Sequence, residues 1–194
     1  MLKLFTLIIL FSSFTTTDTI LTTVNTSDGE IISKYNYIDQ YKDLAIAEMY
    51  RTGIPASITL AQGLLESQAG KSDLAIYANN HFGIKCKKYW QGATYYHKDD
   101  DYNDNGKLIE SCFRHYDSVL ESYVDHSNFL KQSAHYSKLF TYSKKDFASW
   151  AWGLKEAGYA TDKSYPIKLI KLIQKFKLYE YDKAENPWNH ILNY

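Results

Sequence analysis

The hydrophobic pattern divides the chain into a short continuous apolar run, several stretches of helical spacing, and a central region of alternation. Residues 4–14 are the continuous run, broken by Thr6, Ser12 and Ser13, and they follow the single early cation Lys3. About 11 positions are too few for a helix to cross roughly 30 Å of hydrocarbon, which takes about 20. Residues 1–27 therefore read as a secretory signal peptide with a Thr-rich polar leader, and residues 28–36 as a linker. The leader contains no small-residue motif ending in Cys, so no lipid anchor is expected.

Ile38, Tyr41, Ala45 and Met49 recur at helical spacing and predict a helix over 38–49, stopped by Gly53. Pro55 suits the first turn of a second helix over 56–67. Glu66 is the only charged residue between Gly53 and Ala69. A short helix is expected over 72–78. From His81 the pattern becomes strand-like, at Phe82-Gly83-Ile84, at 93–96 and at 107–116. Asn103-Asp104-Asn105-Gly106 supplies a hairpin turn. Helical spacing returns over 118–130, 144–157 and 165–178, with Pro166 at a helix start. The expected fold class is α+β and mainly α, with a small β-hairpin lobe inserted into a helical body. It is one domain over 37–182, followed by a tail at 183–194.

Charge and composition narrow the chemistry. Twenty-two Lys and Arg balance 22 Asp and Glu, which argues against a nucleic-acid partner or an anionic-membrane surface, since either needs a basic excess. Eighteen Tyr and four Trp supply flat apolar faces with polar tips, suited to sugar rings but equally to ordinary core filling. Cys86 and Cys112 are an even pair, consistent with one disulfide in an exported chain. His81, His97 and His115 lack metal-ligand spacing, so neither a metal nor another cofactor is expected.

Glu66 closes an otherwise uncharged apolar helix. Burial there would disfavour its anion, and the negative end of the helix dipole acts in the same direction. A carboxyl kept protonated near neutral pH can donate to a leaving oxygen. Spacing alone equally allows Glu66 to emerge at the surface or to pair with Lys71.

The surrounding motifs decide between these readings. Ala61-Gln62-Gly63-Leu64-Leu65-Glu66-Ser67, Gly70-Lys71-Ser72, Asn79-Asn80-His81-Phe82-Gly83-Ile84-Lys85, Cys112-Phe113-Arg114-His115-Tyr116-Asp117-Ser118, and Gly158-Tyr159-Ala160-Thr161-Asp162 with Tyr165 occur in that order. Together they resemble the N-acetylglucosaminidase domain of bacterial autolysins and flagellar wall hydrolases, glycoside hydrolase family 73. The resemblance covers about residues 38–178. It implies a lysozyme-like fold of the goose type, with a helical lobe and a small β-lobe flanking a cleft. It also implies an endo-β-N-acetylglucosaminidase acting on the GlcNAc–MurNAc strands of peptidoglycan, with Glu66 as general acid.

Further roles follow from the same resemblance. Tyr159 falls on the loop facing the acid, where it would orient substrate. Asn80, Phe82 and Gly83 fall on the segment lining the cleft, and Asp162 and Tyr165 belong to the Tyr159 loop. Asp101, preceding Tyr102 as the family's Glu precedes its Tyr, stands for the second carboxylate. Asp100 is next, and Asp99 and Glu110 are more distant candidates. If no carboxylate serves, the substrate's own 2-acetamido group would be the nucleophile. Gln68 replaces a family Gly after Leu65-Glu66-Ser67, a departure that Gly70 and Ser72 should make tolerable. Trp90, in a polar loop, is a candidate sugar platform. Trp150 and Trp152 lie on an apolar stripe, and Lys168, Lys171 and Lys175 read as a solvated face. Rival readings are a muramidase or lytic transglycosylase on the same fold, or a non-catalytic peptidoglycan-binding module. The protein is expected to be exported, to periplasm or cell wall, as a monomer with no stable membrane insertion after signal cleavage.

Overall fold

A computed structural model of the chain describes the backbone of residues 26–102 and 106–189, and the side chains of residues 27–98 and 106–189. The signal-peptide reading of the first residues and the turn residues Asn103, Asp104 and Asn105 lie outside these.

Helix α1 (Thr26–Thr52) buries Tyr37, Ile38, Ala45, Ile46 and Met49. It begins well before the expected start, so residues 28–36 are helix rather than linker. The reason is packing beyond the domain motif: Ile31 and Tyr35 continue the helical spacing, and the Tyr35 ring meets Phe176 edge-on at 5.1 Å. Gly53 ends the helix at φ 91°.

Helix α2 (Ala56–Glu66) is the centre of the molecule. Every residue from Ala56 to Leu64 is buried. Gly63 admits its neighbours closely, since a Cβ there would stand 2.5 Å from the Tyr37 hydroxyl and 3.2 Å from that of Tyr123. The two hydroxyls are 3.1 Å apart, and Tyr37 also bonds His81 Nδ1 at 2.9 Å. This polar knot sits in the core just behind Glu66.

The N-terminus of α2 is capped from a distant part of the chain. Pro55 has no side chain able to cap, but Asp182 accepts from the Ser57 N–H at 2.8 Å and from its hydroxyl at 2.7 Å. Asp182 lies on a 3₁₀ segment (Leu178–Lys183) that packs on α2. Replacing an N-terminal cap typically costs about 0.5–2 kcal/mol. Asp182→Ala is therefore expected to lower stability by about 1–2 kcal/mol in urea unfolding, with Asp182→Asn keeping most of it.

Helix α3 (Asp73–Ala78) follows, capped by the Ser72 hydroxyl and ended by left-handed Asn79. Strands β1 (Thr94–Tyr102) and β2 (Leu108–Arg114) pair antiparallel from Thr94↔Arg114 to Lys98↔Glu110, with an irregularity before Tyr102↔Leu108. Phe82-Gly83-Ile84, expected as a strand, is an irregular turn that meets the sheet through one bridge between Lys85 and Phe113. Cys86 and Cys112 are disulfide-bonded across this junction, with Cα atoms 5.3 Å apart. Helix α4 (Val119–Gln132), a 3₁₀ segment (Ala134–Thr141), α5 (Phe147–Glu156) and α6 (Tyr165–Lys175) complete the helical body. Trp150 is core, and Trp152 is exposed. The mainly helical α+β arrangement with one small hairpin is the expected fold class.

Candidate active site

Glu66 is the last residue of α2 and is half-buried. The chain turns sharply after it. Ser67 is buried, donates its hydroxyl to the Gly63 carbonyl, and accepts from the Gly70 N–H at 2.8 Å. Gln68, Ala69 and Gly70 are all left-handed, at φ 52°, 57° and 79°. Two of the three carry a Cβ, and each such residue costs about 1–2 kcal/mol in this region. Gln68 occupies a position where a glycine would be unstrained. The Ser67 clamp holds this turn, and with it the direction of Glu66.

A hydrogen-bonded relay meets the acid. The Tyr165 hydroxyl donates to Glu66 Oε1 at 2.9 Å, and Gln62 Nε2 donates to the same hydroxyl oxygen at 3.1 Å. Gln62 lies one helical turn before Glu66, so i, i+4 spacing brings both to one face of α2. The Gln62 bond leaves the Tyr165 proton directed at the carboxylate. Tyr165 is buried and its phenol is raised well above the usual value, first by burial, then by the nearby Tyr159 and Glu66 charges. It therefore remains a donor throughout the working pH range.

Tyr159 reaches the same place through a helix ending. At the end of α5, the Tyr159 N–H bonds the Leu154 carbonyl at 3.0 Å and the Gly158 N–H bonds that of Lys155 at 3.1 Å. This paired pattern needs a left-handed residue between, and Gly158 has φ 79°. The result swings Tyr159 back over the core, where its ring stacks on Tyr165 at 5.7 Å and meets Tyr136 and His126 edge-on. Burial, then the Glu66 charge, raise its phenol well above the ordinary value. Glu66, Tyr159 and Tyr165 are thus brought together.

Several of the residues expected to meet substrate make contacts that hold the fold. Asn80 is 1% exposed, and its amide bonds the Ile84 and Arg114 carbonyls and the Ile84 N–H, stapling the 80–84 turn to β2. Phe82 is 4% exposed, stacked on His126 at 3.9 Å. Gly83 alone of this trio faces open space. Trp90 is folded into its own loop: its indole N–H bonds the Ala93 carbonyl, and Arg114 covers its ring at 4.6 Å. Asp162 accepts from the Ser164 N–H and hydroxyl and pairs with Lys168 at 2.7 Å, closing the turn into α6. Lys168 above all holds its carboxyl far below the usual range.

The backbones of Asp99, Asp100 and Asp101 belong to β1, while their side chains lie outside the described residues. Glu110 is exposed and stands opposite Lys98. Sequence reasoning passed over three residues near the site. Gln62 was legible in principle, from its i, i+4 relation to Glu66. His126 and Tyr136 carried no signal, because only tertiary packing brings them to Tyr159.

Residues 42–178 match the glucosaminidase family, described as mannosyl-glycoprotein endo-beta-N-acetylglucosaminidase. Exo-glucosaminidase LytG of Bacillus subtilis (strain 168) is 32% identical over 161 residues, covering 81% of this chain and 56% of LytG. Peptidoglycan hydrolase FlgJ of Escherichia coli (strain K12) is 32% identical over 132 residues, covering 66% and 42%. The chain spans about half the length of the curated relatives it matches. Among solved structures, a peptidoglycan hydrolase from Sphingomonas sp. A1 superposes with TM-score 0.64 at 29% identity, covering 75% of this chain and 91% of that one. The catalytic domain of the autolysin Auto from Listeria monocytogenes gives 0.65 at 28%, covering 77% and 87%.

Proposed function

The chain belongs to the glucosaminidase family, and from that premise we propose that it is an exported endo-β-N-acetylglucosaminidase of peptidoglycan with Glu66 as general acid. The observation that carries this reading is the relay from Gln62 through Tyr165 to Glu66. An acid must release its proton to the glycosidic oxygen and then exist as an anion. A donor already aimed at Oε1 stabilises that anion as it forms. The second phenol, Tyr159, stacks beside Tyr165 and is assigned the orientation of the sugar next to the acid. Asp101 is the proposed partner carboxylate, on the resemblance alone.

Export is supported by the Cys86–Cys112 disulfide, a bond that persists in oxidising compartments. Among the described residues no helix is long and apolar enough to cross a membrane.

The choice of bond is tested by product chemistry. Peptidoglycan digested with the protein, reduced with borohydride and examined by mass spectrometry should yield fragments ending in reduced GlcNAc. Fragments ending in reduced MurNAc or anhydro-MurNAc would make it a muramidase or a lytic transglycosylase.

A further inference from the structure

The loop between the disulfide and β1 places one aromatic ring in an unusual position. Trp90 packs inward against Gly92, where a Cβ would stand 2.4 Å from its ring, and under the Arg114 guanidinium. Its neighbour Tyr89 is turned outward and is 69% exposed. An exposed tyrosine on a polar loop ordinarily samples many rotamers, but this one is tethered. Arg114 Nη2 donates to its hydroxyl at 3.2 Å and the guanidinium lies 5.5 Å from its ring centroid.

Arg114 is itself immobile. It is 4% exposed and grips Asp125 through two bonds of 2.9 and 2.7 Å, while Asp125 also accepts from Tyr116 at 2.6 Å. A ring held by a buried ion pair loses little freedom when something stacks on it, so its contact area converts efficiently into affinity.

Tyr89 lines a cavity of about 620 Å³ together with Phe129, Tyr136 and Gly158. Tyr136 is 6.3 Å from the Tyr159 ring, which is 5.7 Å from Tyr165, the donor to Glu66. The cavity is therefore separated from the acid by two aromatic ring contacts, which places it along the same side of the helical body. Ring faces edged with hydroxyls and amides suit a hexosamine, which has an apolar CH face and polar rim.

We propose that Tyr89, fixed by Arg114, is the stacking platform of a distal subsite that holds a further saccharide of the same glycan strand. This rests on the glycan-cleaving reading of Glu66. The subsite makes recognition depend on strand length, so long strands bind better than fragments too short to reach it.

The test uses peptide-free glycan strands, fractionated by length, and measures their binding by calorimetry to the full chain carrying Glu66→Gln. Affinity should rise with length up to the point where the cavity is filled. Adding Tyr89→Ala should remove roughly tenfold of affinity for long strands and leave the shortest binders unchanged. Tyr89→Phe, which keeps the ring and its contact with the guanidinium but loses the hydroxyl bond, should fall between Tyr89 and Tyr89→Ala. Equal length dependence in the presence and absence of the Tyr89 ring overturns the proposal, as does a Phe variant that behaves like Ala. Cleavage by otherwise unaltered protein is read separately. If Glu66→Gln still cleaves, the acid assignment fails while the binding comparison, made with product removed, continues to decide the subsite.

Discussion

Glu66→Gln is expected to reduce lysis of purified cell walls by roughly 10²–10⁴-fold, the usual contribution of a positioned general acid. The substitution keeps shape and keeps an acceptor for Tyr165, so circular dichroism and the unfolding midpoint should hardly change. Only the transferable proton is lost. Tyr165→Phe should give a smaller loss, roughly ten- to a hundredfold, because it removes one hydrogen bond to a charge and leaves the acid in place. Both are measured as the initial fall in turbidity of a wall suspension. Undiminished lysis by the Gln variant would remove Glu66 from its role, and lysis absent from the unaltered protein would leave a glycan-binding module.

The ordering of these effects depends on details that the sequence shows unevenly. Local patterns were enough for α2, for the Gly53 stop and for the existence of the β1–β2 pair, since each rests on spacing or glycine conformation within a few residues. Glu66 was identified by its motif, whereas its environment was not. A helix end allows a surface acid as readily as a buried one, and the difference is made by Tyr165, ninety-nine positions away. Asn80 and Phe82 show the converse. A motif marks a segment as near the cleft but cannot say which way each side chain points, and here both point inward to hold the turn. Trp90 shows the same limit, since Arg114, distant in sequence, covers its ring. The helical start at 26–36 was missed because Ile31 and Tyr35 give only a weak local continuation of the spacing, and the packing that reinforces it, Tyr35 on Phe176, is distant in sequence.

Acidification is expected to destabilise the fold by several kcal/mol between about pH 6.5 and 4. Burial pushes the imidazole of His126 down to about 3 and that of His81 down to about 4. His126 is fully buried between Phe82 and Tyr159, and among the described residues neither of its ring nitrogens has a hydrogen-bond partner. A histidine whose folded value is depressed takes up its proton first in the unfolded chain. Stability therefore rises with pH across that window and is lost as pH falls below about 6.5. Asp182 opposes this. Burial raises its carboxyl to about 6, so from there down to its unfolded value near 3.8 the folded state protonates first and gains stability. Each proton is worth about 1.4 kcal/mol per pH unit, and two histidines outweigh one aspartate. The net loss by pH 4 is roughly 3–4 kcal/mol.

Urea unfolding at a series of pH values measures this directly. His126→Phe, which keeps a flat ring against Phe82 and removes the titrating group, should abolish about half of the histidine contribution to the slope. Because His126 meets Tyr159 edge-on beside the acid, the acidic limb of wall lysis should move down with it. A general acid alone would favour low pH, so loss of activity there is attributed to the wall of the site giving way. An acid limb unmoved by His126→Phe, with stability shifted, would separate the two and assign the limb to titration of the substrate-facing groups.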